Sequence, residues 1–425
     1  MLLRFGVANH RSIRERQEIS FIASKLKGGT TQPIEVAGLK EQVLPAALVY
    51  GANASGKSNL LGALDAMRDH VLDSFHKRAP TAGVPRDPFR LDDVSPSNST
   101  EFDVDFLIDG TRYEYGFTFT DQSFLSEWLY AYPTGHRQMW FERSAGGLRF
   151  GRALKGENKA IAALTRDSSL FLSAAAQHGH SSLTQIYRFF QSVVTCLSAN
   201  VHVGELQENA ENIDYSILEF FTYADTGIVS LKKDQIQIEA ESSEFAQDLE
   251  KLLQKHFGSD KRFALDDPKT ELRLGHASVG QKEVFFSLSA ESRGTLRMMK
   301  LVHFVLRALR RGSTLVIDEL DASLHTLLAS RLIELFGNPK LNPKGAQLLA
   351  TTHDTHLLCS PAIRRDQIWF AEKNREGATS IYPLTDIRTR AEDNLERGYL
   401  QGRFGAIPFL GSVEELFGGT RRGDA

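Results

Sequence analysis

The chain has 425 residues, 41% of them hydrophobic and 24% charged, with a formal net charge of −3. This is ordinary globular composition, enough for two or three domains, and it excludes wholesale disorder and a collagen-like fibre. Cys196 and Cys359 are the only cysteines, which excludes a disulfide scaffold or a zinc site of several cysteines, and the charge gives no global attraction to polyanions.

The opening MLLRFGVANHRSI is too short an apolar stretch for a signal peptide, and no run approaches the roughly 18 apolar residues of a membrane helix. A soluble cytoplasmic protein without a membrane partner is expected. LLRFGVANHRSI and EISFIAS read as two short strands around a polar loop, and LPAALVYGA as a buried strand ending at Gly51. A helix is expected from Lys57. FDVDFLIDGTRYEYGFTF alternates around a turn at Asp109 and Gly110, which predicts an antiparallel hairpin, and EWLYAYPTGHRQMWFERSAGGLRFG extends the meander. Between about Asn158 and Phe257, LTQIYRFFQSVV and EFAQDLEKLLQKHF repeat their apolar residues at three and four, predicting a mainly helical inserted lobe. After Ser287 the order helix, strand (TLVIDEL), helix (SLHTLLASRLIELF), strand (AQLLATTHD) predicts a parallel sheet. The tail GGTRRGDA has the composition of a frayed end.

GANASGKS fits the phosphate-loop pattern of Gly51, four residues, Gly56, Lys57 and Ser58. A strand before it and a helix after it let backbone N–H groups from Asn53, Ala54, Ser55, Gly56 and Asn59 surround phosphates at a helix N-terminus. Lys57 is expected at the β and γ phosphates and Ser58 on Mg²⁺. TLVIDEL ends in Asp318, a candidate for holding the metal through water, and Glu319, placed to orient or deprotonate an attacking water. His353 closes a further buried strand, where an imidazole can contact the γ-phosphate.

These residues resemble the ABC-type ATPases, in the branch of SMC, RecF and OLD (overcoming lysogenization defect) proteins, and the stand-alone AAA-family ATP-binding proteins of abortive-infection and PARIS-like anti-phage systems. FGVANHRSI, GANASGKS, LSAESRGTLR, LVIDELDASLH, TTHDTHLL and YLQGRFGAIP carry the resemblance. It implies an α/β P-loop NTPase: an ATPase head with a mixed sheet, an antiparallel β subdomain and the helical insertion. ESRGT resembles the signature motif, although LSGGQ is here SRGT, and it implies that Ser292 and Gly294 contact the γ-phosphate of a partner subunit. DASLH resembles the D-loop, which implies Ser323 and His325 near a dimer seam, and Arg11 matches the basic residue that SMC-like heads turn toward their nucleotide. No Q-loop glutamine is evident; PFRLD at Pro88 to Asp92 occupies that stretch.

The expected organisation is 1–157 for the N-terminal part of the head, 158–269 for the helical lobe, 270–417 for the C-terminal part and 418–425 for the tail. The resemblance implies an ATP- and Mg²⁺-dependent ATPase that forms a homodimer, or an assembly of dimers, and controls a separate effector such as a Toprim-like nuclease in anti-phage defence. The alternative is a RecF- or SMC-like ATPase that binds DNA, supported by Arg293, Arg297, Lys300, Arg307, Arg310 and Arg311 on one predicted helix. A Toprim domain within this chain is not expected, because 73 residues follow Thr352.

Overall fold

The computed structural model describes residues 1–26, 29–77, 83–197, 216–236, 269–280, 282–322, 324–390 and 392–407, together with Leu206 and Ile213. It divides into one unit formed by Met1–Leu197 and Arg307–Ala425 and a second formed by Ser198–Leu306.

The first unit contains a six-stranded sheet built around buried apolar strands. Strand β3 (Ala46–Tyr50) is buried throughout, as are β13 (Thr314–Ile317) and β14 (Gln347–Thr351). Runs of this kind suit a parallel sheet covered on both faces. The order is β16 (Thr379–Pro383), β15 (Ile368–Lys373), β3, β14, β13, β9 (Val194–Cys196), parallel except at β16. Alternate residues face opposite sides. Ala47, Val49, Val316 and Leu349 enter the main core, while helix α7 (Thr326–Gly337), which buries Leu332, Ile333 and Phe336, packs on β3 and β14.

A seven-stranded antiparallel sheet runs β2 (Gln17–Ser20), β1 (Leu2–Ala8), β4 (Thr100–Ile108), β5 (Thr111–Phe119), β6 (Phe124–Tyr132), β7 (Gln138–Ser144), β8 (Gly147–Phe150). The expected hairpin is β4 and β5, with Asp109 and Gly110 both at positive φ, as a tight turn requires. Helix α1 (Lys57–Asp73) shares one core with both sheets through Leu60, Leu64, Met67 and Val71.

The expected helical lobe at 158–269 is drawn differently by the structure. Helices α2 (Asn158–Leu164), α3 (Phe171–Gln177) and α4 (Ser181–Ser192) are helical as read, yet they belong to the first unit. The apolar stripe of α4 covers the antiparallel sheet: Phe189 stacks on Phe106 at 4.2 Å between ring centroids and Phe190 meets Tyr115 edge-on. Strand β9 then joins the parallel sheet, so the boundary falls after Leu197. In the second unit the described residues form helix α5 (Ile217–Tyr223), an antiparallel sheet of β10 (Ile228–Ile236), β11 (Lys269–Ala277) and β12 (Glu283–Ser287), and the first turns of helix α6 (Arg293–Arg311). Residues 270–306, expected in the C-terminal part of the head, therefore fall in this unit. EFAQDLEKLLQKHF and the tail lie outside the described residues, in which no helix is long and apolar enough to cross a membrane.

Candidate nucleotide site

The carboxyl ends of three adjacent parallel strands, β3, β14 and β13, form the site, the position at which open α/β sheets bind ligands. From β3 the chain enters the loop 51–56 and then α1, whose first residue is Lys57. Gly56 caps the helix at φ 105° and ψ 7°, a left-handed conformation that favours glycine. A Cβ there would lie 2.1 Å from Thr379 Oγ1 and 2.9 Å from Ser12 Oγ; a Cβ on Gly51 would lie 2.4 Å from the Ala371 carbonyl oxygen. The loop has no room for side chains at these two positions. Behind it a relay of hydrogen bonds holds the backbone. Asn59 Nδ2 donates to Ser12 Oγ (2.6 Å), Ser12 Oγ lies 2.8 Å from Thr379 Oγ1, and Thr379 Oγ1 donates to the Ser55 carbonyl (2.9 Å). Asn53, Ala54 and Ser58 are exposed at the front of the loop.

Lys57 is 6% exposed, and its Nζ donates to the carbonyls of Gly51 and Ala52, each at 2.9 Å. No carboxylate of the described residues lies within ion-pair distance of it. Burial lowers its pKa, and the negative charges of Asp318, then Asp321 and Glu319, act against that shift. Among the described residues the buried hydroxyl of Ser55 has no partner. A buried ammonium bonded only to main-chain carbonyls, an unpartnered hydroxyl and two glycines at close approach fit an anionic ligand such as a polyphosphate.

At the end of β13, Asp318 and Glu319 meet Thr351 from β14. Thr351 Oγ1 donates to Asp318 Oδ1 (2.5 Å) and accepts from the Glu319 N–H (2.8 Å). Glu319 is left-handed at φ 54°. His353 lies two residues past Thr351, and its N–H donates to Asp321 Oδ1 (3.1 Å). Burial first, and then the Lys57 charge, lower the His353 pKa, while Asp321, Glu319 and Asp318 raise it. The net shift favours the neutral imidazole. Lys57, Asp318, Glu319 and His353 thus interact within one electrostatic neighbourhood. Ser58, exposed in the first turn of α1, and Asp318 are the oxygen donors of the type that a hard divalent cation takes.

The other expected residues are placed elsewhere or serve local roles. Arg11, left-handed at φ 51°, donates its N–H to the Asp87 carbonyl (2.7 Å) and sets its guanidinium 3.6 Å from the Asp87 carboxylate. It lines a cleft of about 560 Å³ with His10, Asp69 and Asp73, against the middle and end of α1. His325 caps α7, its Nδ1 accepting from the Leu327 N–H at 3.3 Å. Ser323 lies outside the described residues. In the second unit Ser292 is exposed and its Oγ accepts from the Thr295 N–H (3.1 Å), a cap on α6, and a Cβ on Gly294 would lie 3.7 Å from the same Oγ, an ordinary contact. Ser12, Thr351, Asp321 and Thr379 were not singled out in the sequence. Asp321 could have been noticed within DELDAS, but Thr379 is 367 positions from Ser12, so no local pattern marks their contact.

A family model described as "AAA domain, putative AbiEii toxin, Type IV TA system" matches residues 46–359, about three quarters of the chain. The chain belongs to this AAA-domain family. The matched range opens on the first residue of β3 and includes the phosphate loop, the Asp318–Glu319 pair and His353. An AAA domain is a nucleotide-binding module, and the family description associates it with abortive-infection toxin–antitoxin systems. A search of curated proteins finds no match.

Proposed function

We propose that the chain is a Mg²⁺-dependent ATPase whose nucleotide-bound form pairs two subunits and controls a separate effector in anti-phage defence. The observation that carries the reading is the meeting of Lys57, the Asp318–Glu319 pair and His353 at the ends of three neighbouring strands. Lys57 would exchange its two carbonyl partners for β- and γ-phosphate oxygens. Ser58 and Asp318 would hold Mg²⁺, which when bound neutralises phosphate charge. Glu319 would accept the proton of the attacking water, and His353, neutral, would present a ring N–H or lone pair to the γ-phosphate side. Ser292 and Gly294, at the start of α6, would meet the phosphate of a second subunit, giving a two-fold assembly with two nucleotides.

ATP hydrolysis and solution mass measured with and without ATP test this. Glu319→Gln should bind ATP, hydrolyse it at least about 100-fold more slowly and accumulate as a dimer; Lys57→Ala should neither bind ATP nor dimerise. A Glu319→Gln protein that turned over at the wild-type rate, or stayed monomeric with ATP bound, would count against the base and the assembly respectively. The DNA-clamp alternative rests on the basic residues of α6; salt-dependent duplex binding with a steep log–log slope would favour it.

A further inference from the structure

We propose that Thr351 is a positioning residue that sets both carboxylates at the end of β13 through one hydroxyl, an inference that rests on the nucleotide-site reading above. Thr351 is fully buried at the last position of β14, which pairs with β13 through Ile317 and Ala350, so it stands beside the residue that follows the strand, Asp318. Its single hydroxyl proton goes to Asp318 Oδ1 at 2.5 Å, within the short range typical of a hydroxyl bonded to a carboxylate. A lone pair of the same oxygen accepts the Glu319 N–H at 2.8 Å. The Thr351 carbonyl takes the next N–H, from Leu320, at 2.9 Å. One residue thus holds three consecutive positions of the opposite turn.

The consequences for the two acids differ. Asp318 accepts the Thr351 proton at Oδ1, which restrains the rotation of its carboxylate. Glu319 is held by its backbone. A glutamate at φ 54° has no side-chain preference for that region, so something outside the residue must keep it there, and the Thr351 hydroxyl bonds its N–H. The donated proton and the accepted one reinforce each other, because a hydroxyl polarised toward a carboxylate is a better acceptor. His353 lies two residues beyond on the same chain, so the strand that presents the histidine also sets the acids.

The test uses the full chain with Thr351→Val, which keeps the shape and removes both bonds, and Thr351→Ser, which keeps the hydroxyl. Three quantities are read: the affinity for a fluorescent ATP analogue in EDTA, the gain in that affinity on adding Mg²⁺, and the ATP hydrolysis rate. Thr351→Val should bind in EDTA like wild type, lose about 10-fold of the Mg²⁺ gain and hydrolyse about 100-fold more slowly, and Thr351→Ser should restore both. A lowered melting temperature with Mg²⁺ gain and rate unchanged, or a serine variant as impaired as the valine one, overturns the proposal. If wild type itself bound no nucleotide, the nucleotide reading would fall and the bridge would be judged by the ligand-free structure of Thr351→Val. Residue 319 should then leave the left-handed region; if it stayed, the proposal fails. Should the valine variant not fold, Thr351→Cys, a weak donor of similar shape, should fall between serine and wild type on one side and complete loss on the other; equality with wild type overturns the bridge.

Discussion

Gly56→Ala tests the shape of the phosphate loop most directly. The added methyl would meet Thr379 Oγ1 at 2.1 Å, Thr379 Cγ2 at 2.7 Å and Ser12 Oγ at 2.9 Å, with φ held at 105°. An L-residue in the left-handed region costs about 1–2 kcal/mol. Overpacking a filled site adds about 1–3 kcal/mol, giving about 2–5 kcal/mol together. At roughly 2 cal/mol/K of unfolding entropy per residue, the unit that carries the loop should melt roughly 3–8 °C lower. Thr379→Ala in the same chain removes two of the three close atoms, so the double variant should recover most of the overpacking share and none of the backbone share. Melting followed by circular dichroism, with and without a fluorescent ATP analogue, measures both. A Gly56→Ala protein that melts within about 1 °C of wild type and binds the analogue equally well would refute the loop geometry argued here.

Two further outcomes follow from buried charge. Glu127 is fully buried and accepts from Tyr115 Oη (3.0 Å) and from the Phe171 and Leu172 N–H groups (2.7 and 3.0 Å) at the start of α3, so Glu127→Ala should destabilise the fold by roughly 3–5 kcal/mol in denaturant melts; a loss below about 1 kcal/mol would contradict this. Burial pushes His10 down to about 4 and its Nε2 has no partner; the unfolded chain therefore binds more protons between the unfolded value of about 6.5 and 4, and stability should fall by about 3 kcal/mol as pH drops through that window, an acid slope that His10→Gln should flatten.

Much of the fold was legible because it is written in local patterns. Buried runs such as AALVY and TLVI, the DG turn at Asp109 and Gly110, and the phosphate loop between strand and helix each depend on neighbours in sequence. The placement of α2 to α4 was not legible, because the apolar stripe of Leu183, Ile186 and Phe190 says that one face is buried and not which sheet buries it. Three residues, Val194–Cys196, are too few for an alternation to show, so the edge strand of the parallel sheet stayed hidden. At the site, Lys57, Asp318, Glu319 and His353 carry the chemistry in their residue types, whereas Thr351 and Thr379 act through hydrogen bonds that exist only once the strands are side by side.

Backbone conformation points to the same site by an independent route. Among the described residues, seven non-glycine positions have positive φ. Asp109 and Asp225 are of a type that tolerates this region through local hydrogen bonding. Arg11, Ala54, Glu319 and Ala406 have no such excuse, and Asn9 joins Arg11 in the turn whose Ser12 braces the loop. Such residues persist only where their surroundings over-determine them. Here the surroundings are visible: Asn9 Nδ2 donates to the Ser95 and Asn98 carbonyls at 2.8 and 2.9 Å, Arg11 gives its N–H to Asp87, and Glu319 gives its N–H to Thr351. Strain at the acid pair, the phosphate loop and the NHRS turn is therefore met by bonds to separate elements: β14 at the acid pair, Thr379 of β16 to the Ser55 carbonyl at the loop, and Asp87 and Ser95–Asn98 at the turn. A substitution that weakens one of these bonds relaxes the backbone at its own residue first, so loss of site geometry should precede loss of fold at all three.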